Sequence, residues 1–312
     1  MSSLTLFGVM RPTDLSALWR AAAGHLALAL TVVGTGAAPG LGAPPGPMPF
    51  GVYDPGGDFQ NDPEVAIEHL FLPWEDIYLP SLSDADAYAV ERNRAVLVTL
   101  EPWTWTVSER NSPQALQLGI AEGAYDANIA SICDMLGRFA SPVTLRWGHE
   151  MDDDNGQFLW AGWDPETYIS AYRHVIDICR LSAPNINVMW SPLGDEGMEQ
   201  YYPGDSYVDL VGVSVFGLQA FDRINFGQDR SFTDIFEPRY VRAARFGKPV
   251  VVAELGYSGD ADYVDAWDQE VRKARPEYPS LVGVVYFNQK EVYPWPNDLG
   301  YPDWRVEFHV TE

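Results

Sequence analysis

From Pro47 onward, short apolar runs alternate with longer stretches whose apolar residues recur at helical spacing. The runs at Phe50–Asp54, Ile67–Trp74, Ala95–Pro102, Val143–Glu150, Asn187–Pro192, Val208–Phe216, Pro249–Gly256 and Leu281–Gln289 predict strands. Leu82–Arg92, Ala121–Phe139, Asp164–Leu181, Thr233–Phe246 and Asp262–Ala274 predict helices between them. Asp164 supplies an N-cap, and Pro165 fits the first helical position, where an N–H would have no intrahelical partner. Strands alternating with helices over roughly 250 residues is the pattern of one (β/α)8 TIM barrel. An open doubly wound sheet would carry a Gly-rich phosphate loop after its first strand, and GVYDPGGDF lacks the GxGxxG spacing. The expected organisation is a single α/β domain over 47–312.

Residues 1–46 stand apart. Arg11 and Arg20 precede the apolar stretch His25–Pro39, and a Pro/Gly linker without periodicity follows. A signal peptide is expected there, and with it a secreted or periplasmic protein; an uncleaved membrane anchor is the alternative. The formal charge of −24 over 312 residues excludes nucleic acid and anionic membrane surfaces as partners, because both demand clustered Lys and Arg. A neutral polymer is indifferent to that charge. The 11 Trp and 16 Tyr, many beside Pro, Gly or acids, suit stacking on sugar faces as well as core packing. Cys133 and Cys179 fall on predicted helices and read as two small buried apolar side chains. A disulfide between them requires neighbouring helices.

In a TIM barrel the active site sits at the C-terminal ends of the strands. Asp54, Trp74, Glu101, Glu150, Ser191, Phe216, Glu254 and Asn288 fall there. Glu150 and Glu254 stand out because strand sequences lead directly into them, TLRWGH and PVVVA. A carboxylate so placed must be paired or must face the barrel mouth. Two such acids match glycoside hydrolysis, in which one carboxyl protonates the leaving oxygen and another attacks the anomeric carbon or activates water. A structural ion pair between Glu150 and Arg146 is the plainer alternative for the first of them.

Four segments carry a family resemblance. RWGHEM (146–151), YYPGDSYVDLVGVSVF (201–216), KPVVVAELG (248–256) and VVYFNQ (284–289) together resemble, in order, the strand-end segments of glycoside hydrolase family 26. The resemblance implies Glu150 as acid/base and Glu254 as nucleophile of an endo-acting retaining β-glycosidase. It implies Arg146 beneath the two acids, orienting Glu254, and His149 lining the subsite of the reacting sugar. Trp160 and Trp163 stand where the family places stacking aromatics, and Trp103 and Trp105 are candidates for a second platform. Two positions depart from the pattern: a strand-six Tyr that bonds the nucleophile is Phe216 here, and a strand-eight Trp that floors the reacting sugar is Tyr286. The implied substrates are mannan, β-1,3-xylan or mixed-linkage β-glucan, with no cofactor or metal and a monomeric protein. A noncatalytic polysaccharide-binding barrel is the alternative, favoured by Phe216 and Tyr286 and opposed by the intact acids.

Other chemistries fit less well. Setting Gly156 at position six of a calcium loop puts Met151 at position one and Gly162 at position twelve, so an EF-hand fails, and the acid run after Met151 reads as a solvated loop. No second His accompanies His149 at zinc-binding spacing. GVSVF around Ser214 lacks the second glycine of a nucleophile elbow.

Overall fold

The computed structural model describes residues 49–75, 77–103, 112–153, 155–271 and 275–311. The segment 1–46 and Trp105 lie outside the described residues. Eight parallel strands close into a barrel in sequence order: β1 (Phe50–Tyr53), β2 (Val65–Pro73), β3 (Ala95–Glu101), β4 (Val143–Trp147), β5 (Asn187–Trp190), β6 (Leu210–Leu218), β7 (Val250–Ser258) and β8 (Leu281–Phe287). The helices are α1 (Pro80–Glu91), α2 (Pro113–Ala121), α3 (Asp126–Leu136), α4 (Pro165–Ser182), α5 (Gln219–Phe226), α6 (Phe232–Ala243) and α7 (Ala261–Val271). Among the described residues, β1 and β5 lead onward without an α-helix. The helical spacing over Ala121–Phe139 belongs to two elements. Gly123 takes φ +75° between α2 and α3, a left-handed turn that stops one helix before Asp126 begins the next. The Asp164 carboxylate caps α4 by accepting from the Thr167 amide at 3.2 Å.

Alternate side chains on each strand point into the barrel or out toward the helices. Ile67, Leu97, Met189, Leu210, Val251, Ala253 and Val285 fill the lower interior. Trp74, Trp147 and Trp190, on or beside strands, are wholly buried in the larger core shared with the helices. Gly212 is required inside the barrel, because a Cβ there would lie 2.5 Å from Ser191 Oγ. Cys133 on α3 and Cys179 on α4 form a disulfide, with Cα atoms 5.1 Å apart. Unpaired buried thiols were the expectation from residue type alone; the side-by-side packing of α3 and α4 corrects it. The lower barrel is therefore an apolar plug, and the polar interior side chains gather above it.

Candidate active site

Arg146 is the base of the site. It pairs in register with Thr99, and its neighbour Trp147 packs outward on Trp74, Tyr168 and Tyr172. Strand parity therefore sends Arg146 inward, where it is wholly buried. A buried guanidinium needs a partner. Its Nη1 donates to Glu254 Oε1 at 2.6 Å and to Thr99 Oγ1 at 3.2 Å. Thr99 in turn is 2.7 Å from His69 Nε2.

A bulge aims Glu254 at this guanidinium. Val252 pairs with Val213 but Glu254 pairs with Ser214, so Ala253 has no partner on β6. On the other edge, Ala253 and Glu254 oppose Val285. The extra residue turns the strand so that both Ala253 and Glu254 face the interior. Without it, strand alternation would point one of them outward.

Beyond β4 the chain turns through Gly148 (φ +54°) and Glu150 (φ +52°). A left-handed glutamate is uncommon and persists where surroundings over-determine it. Tyr168 donates to the Gly148 carbonyl at 3.0 Å and Trp160 Nε1 to the His149 carbonyl at 2.6 Å. The Glu150 amide donates to the Ser191 carbonyl at 2.8 Å. These bonds bring the Glu150 carboxyl over the barrel, where it accepts from the Ser214 hydroxyl.

The two carboxyls share a buried setting but not a partner. Burial pushes Glu150 up to about 8, helped by the Glu254 charge and opposed by Arg146 and Ser214. Burial also raises Glu254, but the Arg146 charge and hydrogen bond oppose that directly. The anion therefore belongs on Glu254 and the proton on Glu150. His149 lies with Nε2 3.9 Å from Glu254 Oε1, at the edge of ion-pair range. Burial and the Arg146 charge push its pKa well below the usual histidine value, so this contact is between a neutral imidazole and a carboxylate. Burial also moves Glu101 and Glu291 up to about 7 each, with the Glu150 charge contributing to both.

The aromatic expectations divide. Trp103 is half-buried at the rim, edge-on to Trp160 with centroids 4.9 Å apart. Trp160 and Trp163 do not present a stacking face: they are 0% and 4% exposed, and their indole N–H groups are spent on the carbonyls of His149 and Leu159. Trp160 thereby braces the turn that carries Glu150. Phe216 is half-buried at the mouth between Phe287 and Trp304. Tyr286 is not a floor. It points outward, with its hydroxyl donating to the Trp304 carbonyl at 2.5 Å. The next residue, Phe287, is the one that faces the mouth, stacked on Tyr53 at 5.2 Å and edge-on to Phe71 at 5.8 Å.

Asn288 serves structure, donating to Asp54 at 2.8 Å and Asp58 at 2.9 Å. Asp152 is likewise not a solvated charge: it accepts from the Leu193 and Gly194 amides at 2.6 and 3.2 Å, tying the β4 loop to the β5 loop. Residues absent from the sequence reading of the site are Tyr53, His69, Phe71, Thr99, Phe287 and Glu291. Ser214 entered it only as a rejected nucleophile. Its two-residue spacing from Phe216 would have placed it on the same inward face.

Residues 111–275 match the model of glycosyl hydrolase family 26. The chain belongs to that family. Endoglucanase H of Acetivibrio thermocellus is 28% identical over 253 residues, covering 74% of this chain and 26% of that protein. The β-1,3-xylanase TXYA of a Vibrio species is 33% identical over 152 residues, covering 46% of this chain and 32% of that protein. The chain thus spans only 26% and 32% of the length of these two curated family relatives. Among solved structures, a modular endo-β-1,4-mannanase from Cellulomonas fimi superposes with a TM-score of 0.61 at 18% identity, covering 80% of this chain and 68% of that one. At that identity the family 26 mannanase attests the barrel fold.

Proposed function

We propose that this chain is an endo-acting retaining β-glycoside hydrolase, with Glu254 as nucleophile and Glu150 as acid/base. One observation carries the assignment: of two buried carboxyls at the barrel mouth, Glu254 is ion-paired to Arg146 and Glu150 is not. A nucleophile needs a stabilised anion and a proton donor needs a raised pKa. In the first step Glu254 attacks the anomeric carbon while Glu150 gives its proton to the departing oxygen. In the second, water loses a proton to Glu150, its oxygen attacks the same carbon, and Glu254 leaves as a carboxylate. His149 and Phe287 line the subsite of the reacting sugar, with Phe216 beside them and Trp103 at the rim.

The substrate class is a β-linked polysaccharide: mixed-linkage β-glucan, β-1,3-xylan or mannan, acted on by a monomer without a cofactor. The names of the matched relatives, an endoglucanase, a β-1,3-xylanase and an endo-mannanase, support the class and leave the three candidates level. Export to a secreted or periplasmic location accords with the Cys133–Cys179 disulfide, since such bonds persist in oxidising compartments. A panel of lichenan, β-1,3-xylan and mannan, with the anomeric form of the first product followed by NMR, tests the proposal. Net retention on one polymer is the expected outcome. Inversion, or turnover of every polymer that survives Glu254→Ala, would refute it.

A further inference from the structure

We propose that the Ser214 hydroxyl is a positioning residue for Glu150, fixing the carboxyl over the barrel and stabilising the carboxylate left after proton transfer. The inference rests on the acid/base role proposed for Glu150. Ser214 is wholly buried, sits in register opposite Glu254, and donates to Glu150 Oε1 from 64 residues away. Among the described residues it is the side chain that hydrogen-bonds this carboxyl. Its own backbone cannot easily move. The Ser214 amide donates to the Leu193 carbonyl at 3.3 Å, and its carbonyl accepts from Arg239, which is ion-paired to Asp195 at 3.1 Å.

The same bulge that turns Glu254 inward also sets the β6 register opposite it, so one backbone irregularity serves both acids. Glu254 is held by a cation. Glu150 is held by a neutral hydroxyl, which can donate to the carboxylate without keeping the proton off it in the resting state. Arg146 in place of Ser214 as direct partner would hold Glu150 ionised and unable to protonate a leaving group. No bond at all would leave burial opposed only by the more distant Arg146 charge, and the anion harder to form for its turn as general base. The other charged groups acting on Glu150 are Glu254 on β7, Arg146 on β4, Asp153 on its own loop, Glu101 on β3 and Glu291 after β8.

The test is a carboxyl ¹³C NMR titration of the full chain labelled at glutamate Cδ, with the Glu150 resonance identified by its loss in Glu150→Gln. Ser214→Ala should raise the Glu150 midpoint by about one pH unit, a ten-fold gain in proton affinity. Ser214→Thr, which keeps the hydroxyl, should restore it. If Ser214→Ala fails to fold, Ser214→Cys, a weaker donor, should give a smaller upward shift. An unchanged or lowered midpoint in the alanine or cysteine variant overturns the proposal. Polymer hydrolysis by Glu150→Gln at the wild-type rate would instead sink the acid/base role, while the titration still judged the contact.

Discussion

Glu150 leaves β4 on a turn containing two left-handed residues, whereas Glu254 is aimed by a bulge inside β7. The turn at Glu150 is tied down by the hydrogen bonds of Tyr168, Trp160 and its own amide, and its carboxyl meets a serine. The bulge at Glu254 is locked between two neighbouring strands, and its carboxyl meets a buried arginine. Both carboxyls are desolvated, so burial alone cannot tell them apart. The partner does. Where chemistry needs two carboxyls in opposite protonation states, one buried cation on one of them suffices to assign the roles.

The contrast can be broken most forcefully at Glu254. Glu254→Ala should cost more activity than the roughly 10²–10⁴-fold typical of a lost general acid–base group. Added azide should then give a glycosyl azide of inverted configuration, because the small anion occupies the place of the missing nucleophile. Glu150→Ala should fall within that range on natural polymers and cost far less on aryl glycosides, whose leaving groups need little protonation. Equal losses on both would remove the acid from Glu150.

Arg146→Met attacks the asymmetry itself. It leaves Glu254 buried without its cation, and about 3–5 kcal/mol of stability should be lost at neutral pH. Urea unfolding of Arg146→Met combined with Glu254→Gln should recover most of that loss, since no buried charge then remains unpaired.

The most gradual effect, small at each pH step, is a pH dependence of stability. With the Glu150 pKa raised to about 8 in the folded state and ordinary in the unfolded one, the folded protein keeps a proton the unfolded chain has released. Its stabilising effect is complete below the unfolded pKa of about 4.3 and fades as pH rises to the folded value, by up to about 1.36 kcal/mol per unit. Glu150→Gln removes this dependence. Its melting temperature should therefore gain on wild type between pH 5 and pH 8, by about 2–4 °C per kcal/mol. A gap that stays constant over that range would mean that Glu150 is ionised in the folded protein.

Much of the barrel was legible because apolar runs and helical periodicity are local properties, and they locate strands and helices directly. Arg146, Glu150 and Glu254 were legible for a related reason: charged residues at the ends of buried strands have few places to go. What escaped depends on parity and on distant partners. Tyr286 and Phe287 are adjacent aromatics, and a shift of one residue decides which faces the mouth. The Ala253 bulge leaves no signature in PVVVAELG, because it is defined by the pairing of β6 and β8 across it. Trp160 resembles a stacking platform in composition, but its indole N–H finds a carbonyl eleven residues back. Ser214, dismissed as a nucleophile for want of a glycine, earned its place only when folding set it against Glu150. The disulfide needed the packing of α3 on α4.

The most direct test of the central claim is covalent trapping. A 2-deoxy-2-fluoro glycosyl donor with a dinitrophenolate leaving group, built on the disaccharide unit of whichever polymer is cleaved, should inactivate the protein with one-to-one stoichiometry. Peptide mass spectrometry of the trapped protein should place the sugar on Glu254, within the segment 249–256. A sugar on Glu150 instead would reverse the roles that Arg146 assigns and contradict the account.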